Sequence, residues 1–103
     1  MVEILERIGL PFAYDHFARV QKPPFIVWRV PGSNNFSADG GVYLKADNIN
    51  IELYTDKKDP DLEERVEAEL DGIFYEKSEV YIESEKLYEV LYRLGGINTW
   101  VIK

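Results

Sequence analysis

IFYEKSEVYIESEKLYEVLYRL, residues 73–94, decides the fold, because it satisfies two periodicities at once. In steps of two, Tyr88, Val90, Tyr92 and Leu94 share a face, and a turn around 83–86 makes the segment two strands. In steps of three and four, Leu87, Val90, Leu91 and Leu94 form a helical stripe, capped by Ser84 and stopped by Gly95. Periodicity does not choose between them, and the capping residues tip the reading toward a helix.

Immediately upstream the pattern is less divided. Asp59-Pro60 fits an N-cap followed by proline at the first helical position. Leu62, Val66 and Leu70 then recur every fourth residue, and Gly72 is the natural stop. Seven carboxylates crowd the thirteen residues from Asp59 to Asp71. With Leu62, Val66, Ala68 and Leu70 inside, Glu63, Glu64, Glu67 and Asp71 are left to solvent, while Asp59 and Asp61 sit where the helix dipole favours negative charge. Glu69 lies nearer the apolar stripe and is the least well explained. The cluster reads as a wet helix face.

Before that helix, VYLKADNINIELYT (42–55) is the clearest strand, with Ile49, Ile51 and Leu53 alternating against Asn48, Asn50 and Glu52. Val42, Leu44 and Ala46 alternate in the opposite phase, so a bulge or tight turn at Asp47-Asn48 is predicted. FIVWRV (25–30), apolar except for Arg29, reads as a mostly buried strand entered from Lys22-Pro23-Pro24. PGSNNFSADGG (31–41) is a predicted long loop with Phe36 exposed in it, the kind that tends to be functional or mobile. At the start, Val2, Ile4, Leu5 and Ile8 predict a short amphipathic helix ended by Gly9 and Pro11, while 12–21 is ambiguous. INTWVIK (97–103) has strand composition and would make an additional edge strand.

The 103 residues suit a single domain, and a chain of this length hides about two thirds of its surface. Nineteen acids against twelve bases give a net charge of −7. Residues 1–52 hold six acids and five bases, and 53–103 hold thirteen and seven, so the excess lies in the second half. Such a surface disfavours gripping nucleic acid without preventing its passage. With no cysteine, disulfides and thiolate metal sites are excluded. There is no signal-peptide pattern, and no window approaches the ~20 apolar residues of a membrane helix. A soluble, cytoplasmic product is the expectation.

Catalytic chemistry finds little to stand on. Asp56, Asp59 and Asp61 have the wrong spacing for a calcium loop. His16, the one histidine, reads as a surface residue packed on a neighbour and not as a general base. Pairs such as Glu76 with Glu79, or Glu83 with Glu85, arise by chance among nineteen acids. GSNNFSADGG lacks the lysine and spacing of a phosphate loop. No enzyme, metal or cofactor is expected. Tyr43, Tyr54, Tyr75, Tyr81, Tyr88 and Tyr92 fall in elements whose alternate residues face outward, and tyrosine is favoured at protein contacts.

Taken in order, FIVWRV after a proline pair, INIELYTDKKD leading into DPDLEERVEAELD, and then FYEKSEVYIESEKLYEVLYRL resemble the small tail terminator, or tail-completion, proteins of long-tailed phages. The resemblance covers residues 1–94 and rests on an ordered pattern, without a catalytic motif. It implies an α+β fold: an antiparallel sheet with an N-terminal helix and one amphipathic helix packed across one face. It also resolves 73–94 as two strands. It implies a homo-oligomeric ring, typically hexameric, that caps the tail tube, meets the head connector and lets DNA pass without binding it. Such a protein is made in the bacterial cytoplasm and ends in the virion at the head–tail junction, with no membrane partner. On that reading Phe36, Tyr43, Tyr54, Tyr75, Tyr81 and Tyr88 are candidates for subunit or partner contacts. Asp39, Glu63, Glu64 and Glu67 are candidates for the lumen. The alternative is a small α+β adaptor that binds another protein and has no catalytic activity.

Overall fold

The structure, a computed structural model, describes the backbone of residues 1–37 and 43–98, and side chains over 1–30 and 48–95. It is an α+β fold. Helix α1 (Val2–Ile8) precedes strands β1 (Phe12–Tyr14), β2 (Phe25–Ser37) and β3 (Tyr43–Thr55); helix α2 (Pro60–Glu69) and strands β4 (Tyr75–Ile82) and β5 (Leu87–Asn98) follow. The five strands form one sheet in the order β1-β2-β3-β5-β4. Only β1 and β2 run parallel; every other neighbour is antiparallel.

Residues 73–94 therefore form a hairpin and not a helix. Val90 and Leu94 share the buried face with Tyr92, as the two-residue period requires, whereas the helical stripe would also have buried Leu87 and Leu91, which stay half-exposed. The turn closes with Glu85 N–H on the Ile82 carbonyl and Lys86 N–H on that of Glu83. Lys86 takes a left-handed backbone at φ 55°. Ser84 thus belongs to a turn, and Gly95 lies inside β5 instead of ending a helix.

Both helices cover the same face. Leu5 and Ile8 of α1, and Leu62, Val66 and Leu70 of α2, meet Ile26, Ile49, Ile51, Leu53, Val90, Tyr92 and Leu94 of the sheet. In α2 the Asp59 carboxylate accepts from Leu62 N–H at 3.1 Å, capping the helix that Pro60 begins. Gly9 ends α1 at φ 87°, where the absence of a Cβ lets the chain turn beside Arg65. Two side chains lash the helices together: Arg7 bonds Glu69 at 2.7 Å, and Arg65 bonds the Ile8 carbonyl. Glu69 is accounted for by that pair. Ala68, expected inside, is exposed.

Three further expectations need correction. Residues 31–37, predicted as part of a loop over 31–41, continue β2; Phe36 stands opposite Leu44 and Ser37 opposite Tyr43 in the ladder. Residues 38–42 lie outside the described residues. The irregularity placed at Asp47-Asn48 does fall at that level of the sheet, but the extra residues belong to the strands on either side. Val30 and Pro31 of β2 stand against Ile49, because register passes from Arg29↔Asn50 to Gly32↔Asn48. Gly95 and Gly96 of β5 stand against Asn48, because it passes from Ile49↔Leu94 to Asp47↔Ile97. Proline, which has no N–H for the ladder, and glycine are the residues that bulges accept. Finally, Ile97 and Asn98 extend β5 beside β3 and make no separate edge strand; 99–103 lie outside the described residues.

Leu53 is wholly buried in the central strand. Leu53→Ala is expected to lower unfolding free energy by about 2–5 kcal/mol, read as a lower urea midpoint at unchanged slope.

Candidate functional site

The helix-covered face carries a charged cluster beside the core. Glu63, expected in solvent, is only 5% exposed. Its carboxylate faces β4, bonding Lys58 at 2.6 Å and lying 2.9 Å from Lys77. Lys58 also reaches Glu79, and Lys77 reaches Glu67 at 2.6 Å. Glu67 accepts in addition from the Tyr92 hydroxyl at 2.8 Å, so this core tyrosine has its polar end satisfied. The helical angle of Glu63 beside Leu62 brings it inward, and lysines on the adjoining loop and strand make that position tolerable.

Burial works to raise the Glu63 carboxyl, but the bonds from Lys58 and Lys77 outweigh it and hold it below the usual carboxylate range. Burial likewise works to lower the Lys77 ammonium, while bonds to Glu67 and Glu63 push it up to about 12. Lys58 is raised by hydrogen bonds to Glu63 and Glu79. The cluster ties α2 to the outermost strand, and its members are engaged with one another. Glu63 therefore leaves the set of lumen candidates, and Glu67 is half-buried. Glu64 remains exposed on α2. Asp39 lies outside the described residues.

The opposite face is only partly covered. The link from β1 to β2, residues 15–24, crosses it, placing Phe17 against Phe25 in a T-shaped contact at 5.4 Å, and Phe25 stacks on Tyr54 at 5.0 Å. Val27 is sealed beneath. Between this link and the β4–β5 turn lies a cavity of about 890 Å³, with Val27, Arg29 and Tyr54 among its lining residues and Ile82 and Leu87 on the turn side. Arg29, the one charge in an apolar strand segment, lies between Glu52 at 3.6 Å and Asp15 at 3.7 Å, and donates to the Asp15 carbonyl at 3.1 Å. Among the described residues its Nε, though within 3.7 Å of both carboxylates, has no hydrogen-bond partner. Tyr54 donates to Glu52 at 2.7 Å and lies 3.4 Å from Glu89. Burial first, then the hydrogen bond to Glu52, pushes the Tyr54 phenol far up. Burial and the neighbouring Glu52 raise Glu89.

This second cluster does not prepare a nucleophile. The phenol is held protonated and the guanidinium is set between two carboxylates. His16 lies on the surface with Nδ1 2.8 Å from Asp15. That hydrogen bond, with the Arg29 charge beside it, holds the Asp15 carboxyl low. Among the described residues no group of three His, Cys, Asp or Glu side chains could hold a metal ion. No described helix is long and apolar enough to cross a membrane.

The tyrosines divide accordingly. Tyr92 is fully buried, and Tyr75 packs on it edge-to-face at 5.5 Å. Tyr54 is half-buried and bonded within the chain. Tyr81 is exposed, with Tyr88 tilted against it at 4.8 Å. For Phe36 and Tyr43 the backbone register alone is described. Three residues to which sequence reasoning assigned no role stand out: Lys58, Lys77 and Arg29. Arg29 was visible as a lone charge in an apolar run, whereas Lys58 and Lys77 acquire meaning only when α2 is laid against β4.

Compared with models of known protein families the chain matches none, and no curated protein sequence matches it.

Glu63→Gln is expected to cost about 1.5–3 kcal/mol at neutral pH, the range for hydrogen bonds to charged groups. Because the folded state holds the Glu63 carboxyl below its unfolded value, its contribution is present above the unfolded pKa and is lost as pH falls through the folded one. Urea melts at descending pH should therefore show a shallower acid decline in Glu63→Gln than in the parent. Glu89, raised in the folded state, works in the opposite sense: its ionised form is penalised at neutral pH. Glu89→Gln is expected to raise the neutral-pH midpoint, and a fall would contradict the assignment.

Proposed function

We propose that this chain is a structural assembly protein of the tail terminator type. In this role it forms a homo-oligomeric ring that caps a phage tail tube, meets the head connector and lets DNA pass. The observation that carries the reading is the one-sidedness of the fold. Both helices lie on one face and leave the edge strand bare: Val80 on the other face is 52% exposed, Tyr81 on the helix-bearing face 43%, and Phe74, just before β4, 76%. Exposed apolar groups beside an unpaired strand edge are the usual material of protein–protein contact. An outer edge of this kind is where a second copy adds least strain.

The charge balance supports the same role. A net charge of −7 keeps phosphate backbones from adhering, which suits a passage through which DNA must slide. In the clusters around Glu63 and Arg29 every base is held by carboxylates, as befits groups that hold a scaffold together. Tyr81, with Tyr88 behind it, is the best placed of the tyrosine candidates for a subunit contact. The adaptor reading uses the same surfaces for a different partner.

Native mass spectrometry across a concentration series separates the two. A discrete hexamer without stable intermediate sizes, appearing either alone or on addition of purified tail tubes, is the expected result. A monomer at every concentration that also fails to assemble on tail tubes would overturn the ring and favour the adaptor.

A further inference from the structure

The cavity between the link over 15–24 and the β4–β5 turn has no task in the ring reading, and nothing in that reading depends on it. Its volume of about 890 Å³ falls within the range of sites that enclose a small molecule. One wall is aromatic. Phe17 meets Phe25 edge-on, Phe25 stacks on Tyr54, and all three are half-buried. Ile82 and Leu87, half-buried as well, line the turn side, and buried Val27 lies at the bottom. Aromatic and aliphatic surface on two sides of one space is stabilised by a flat apolar body placed between them.

Arg29 adds the polar group. Its side chain is 43% exposed and lines the cavity, and among the described residues it makes one hydrogen bond, from Nη2 to the Asp15 carbonyl. Nε is shut away from solvent, so the donors that a ligand can meet are those remaining on the Nη groups. The positive charge is already offset by Asp15 at 3.7 Å and Glu52 at 3.6 Å. An anion placed there would face two carboxylates for one base, and a cation would face the guanidinium itself. A neutral acceptor such as an amide carbonyl can take the hydrogen bond without either penalty. The charges lining the cavity as a whole balance in the same way, Asp15, Asp56 and Glu85 against Arg19, Arg29 and Lys86. No net charge is left to select an ion.

We propose that this cavity binds an uncharged aromatic small molecule bearing a carbonyl. Its ring system lies between the wall of Phe17, Phe25 and Tyr54 and the pair Ile82 and Leu87, and its carbonyl accepts from Arg29. The apolar walls supply most of the affinity, and the guanidinium fixes which end of the ligand points inward.

The test uses three naphthalenes of similar size and different charge: 2-naphthamide, 2-naphthoate and 2-naphthylmethylammonium. Each is titrated into the full chain and followed through the backbone amide shifts in NMR spectra. 2-Naphthamide should saturate at one molecule per chain and move amides within 15–29 and 82–87, with both ions at least about tenfold weaker. Arg29→Lys keeps the charge and loses the planar fork of donors. It should weaken 2-naphthamide about tenfold while leaving naphthalene, which has no acceptor, unchanged. No saturable binding of 2-naphthamide, or shifts confined to other parts of the chain, would overturn the site. An ion that binds as tightly as the amide would overturn the uncharged class. An equal loss for 2-naphthamide and naphthalene in Arg29→Lys would overturn the hydrogen bond assigned to Arg29. None of these results bears on the native mass of the assembly, so the ring reading stands or falls separately.

Discussion

Strand β3 is the member on which the rest leans. It alone is bonded along its length to two long neighbours, β2 and β5, and its inward side chains Ile51 and Leu53 are wholly buried. Those side chains are what both helices pack against. A strand fixed on two edges and one face has a single register available to it, because a slip of one residue would put Asn50 and Glu52 into the core. The position of α2, and through it of β4, follows from that constraint.

Charge does a different job on each side of this sheet. On the helix side, Glu63 is brought in beside Leu62 and made acceptable by Lys58 and Lys77, which fixes the distance between α2 and the edge strand. On the other side, Arg29 is held between Asp15 and Glu52, which fixes the link over 15–24 to the face it crosses. The first binds α2 to the edge strand and the second binds the link to the sheet's middle, each by a charge that would be costly to leave alone. The two also differ in accessibility: the first is closed by the helix, whereas the second borders an open cavity.

Much of this was legible in the residues themselves. The cap at Asp59-Pro60, the fourfold spacing of Leu62, Val66 and Leu70, and the alternation through Ile49, Ile51 and Leu53 each describe a local periodicity that the fold preserves. The misreadings share a cause. Residues 31–37 look like a loop because proline, glycine, serine and asparagine are turn formers, yet pairing with β3 supplies hydrogen bonds that local preference does not count. Glu63 looks exposed because helical spacing treats every acid alike, and only the tertiary position of two lysines distinguishes it from Glu64. The hairpin at 75–98 hid behind a sequence that fits both periods, and the resemblance to an ordered family pattern, not the capping residues, pointed the right way.

The two bulges, at Val30-Pro31 in β2 and Gly95-Gly96 in β5, lie at one level of the sheet on opposite sides of β3. They act as a pair of register resets. Beyond them the strands can lose or gain residues, and the mispairing that results stops at the bulges instead of running into the helix-covered part. The paired ends 32–37 of β2 and 43–48 of β3 are thereby insulated from the body: a change of residues there leaves Ile51 and Leu53 with the same partners. One segment of the sheet can thus be rewritten without renegotiating the core.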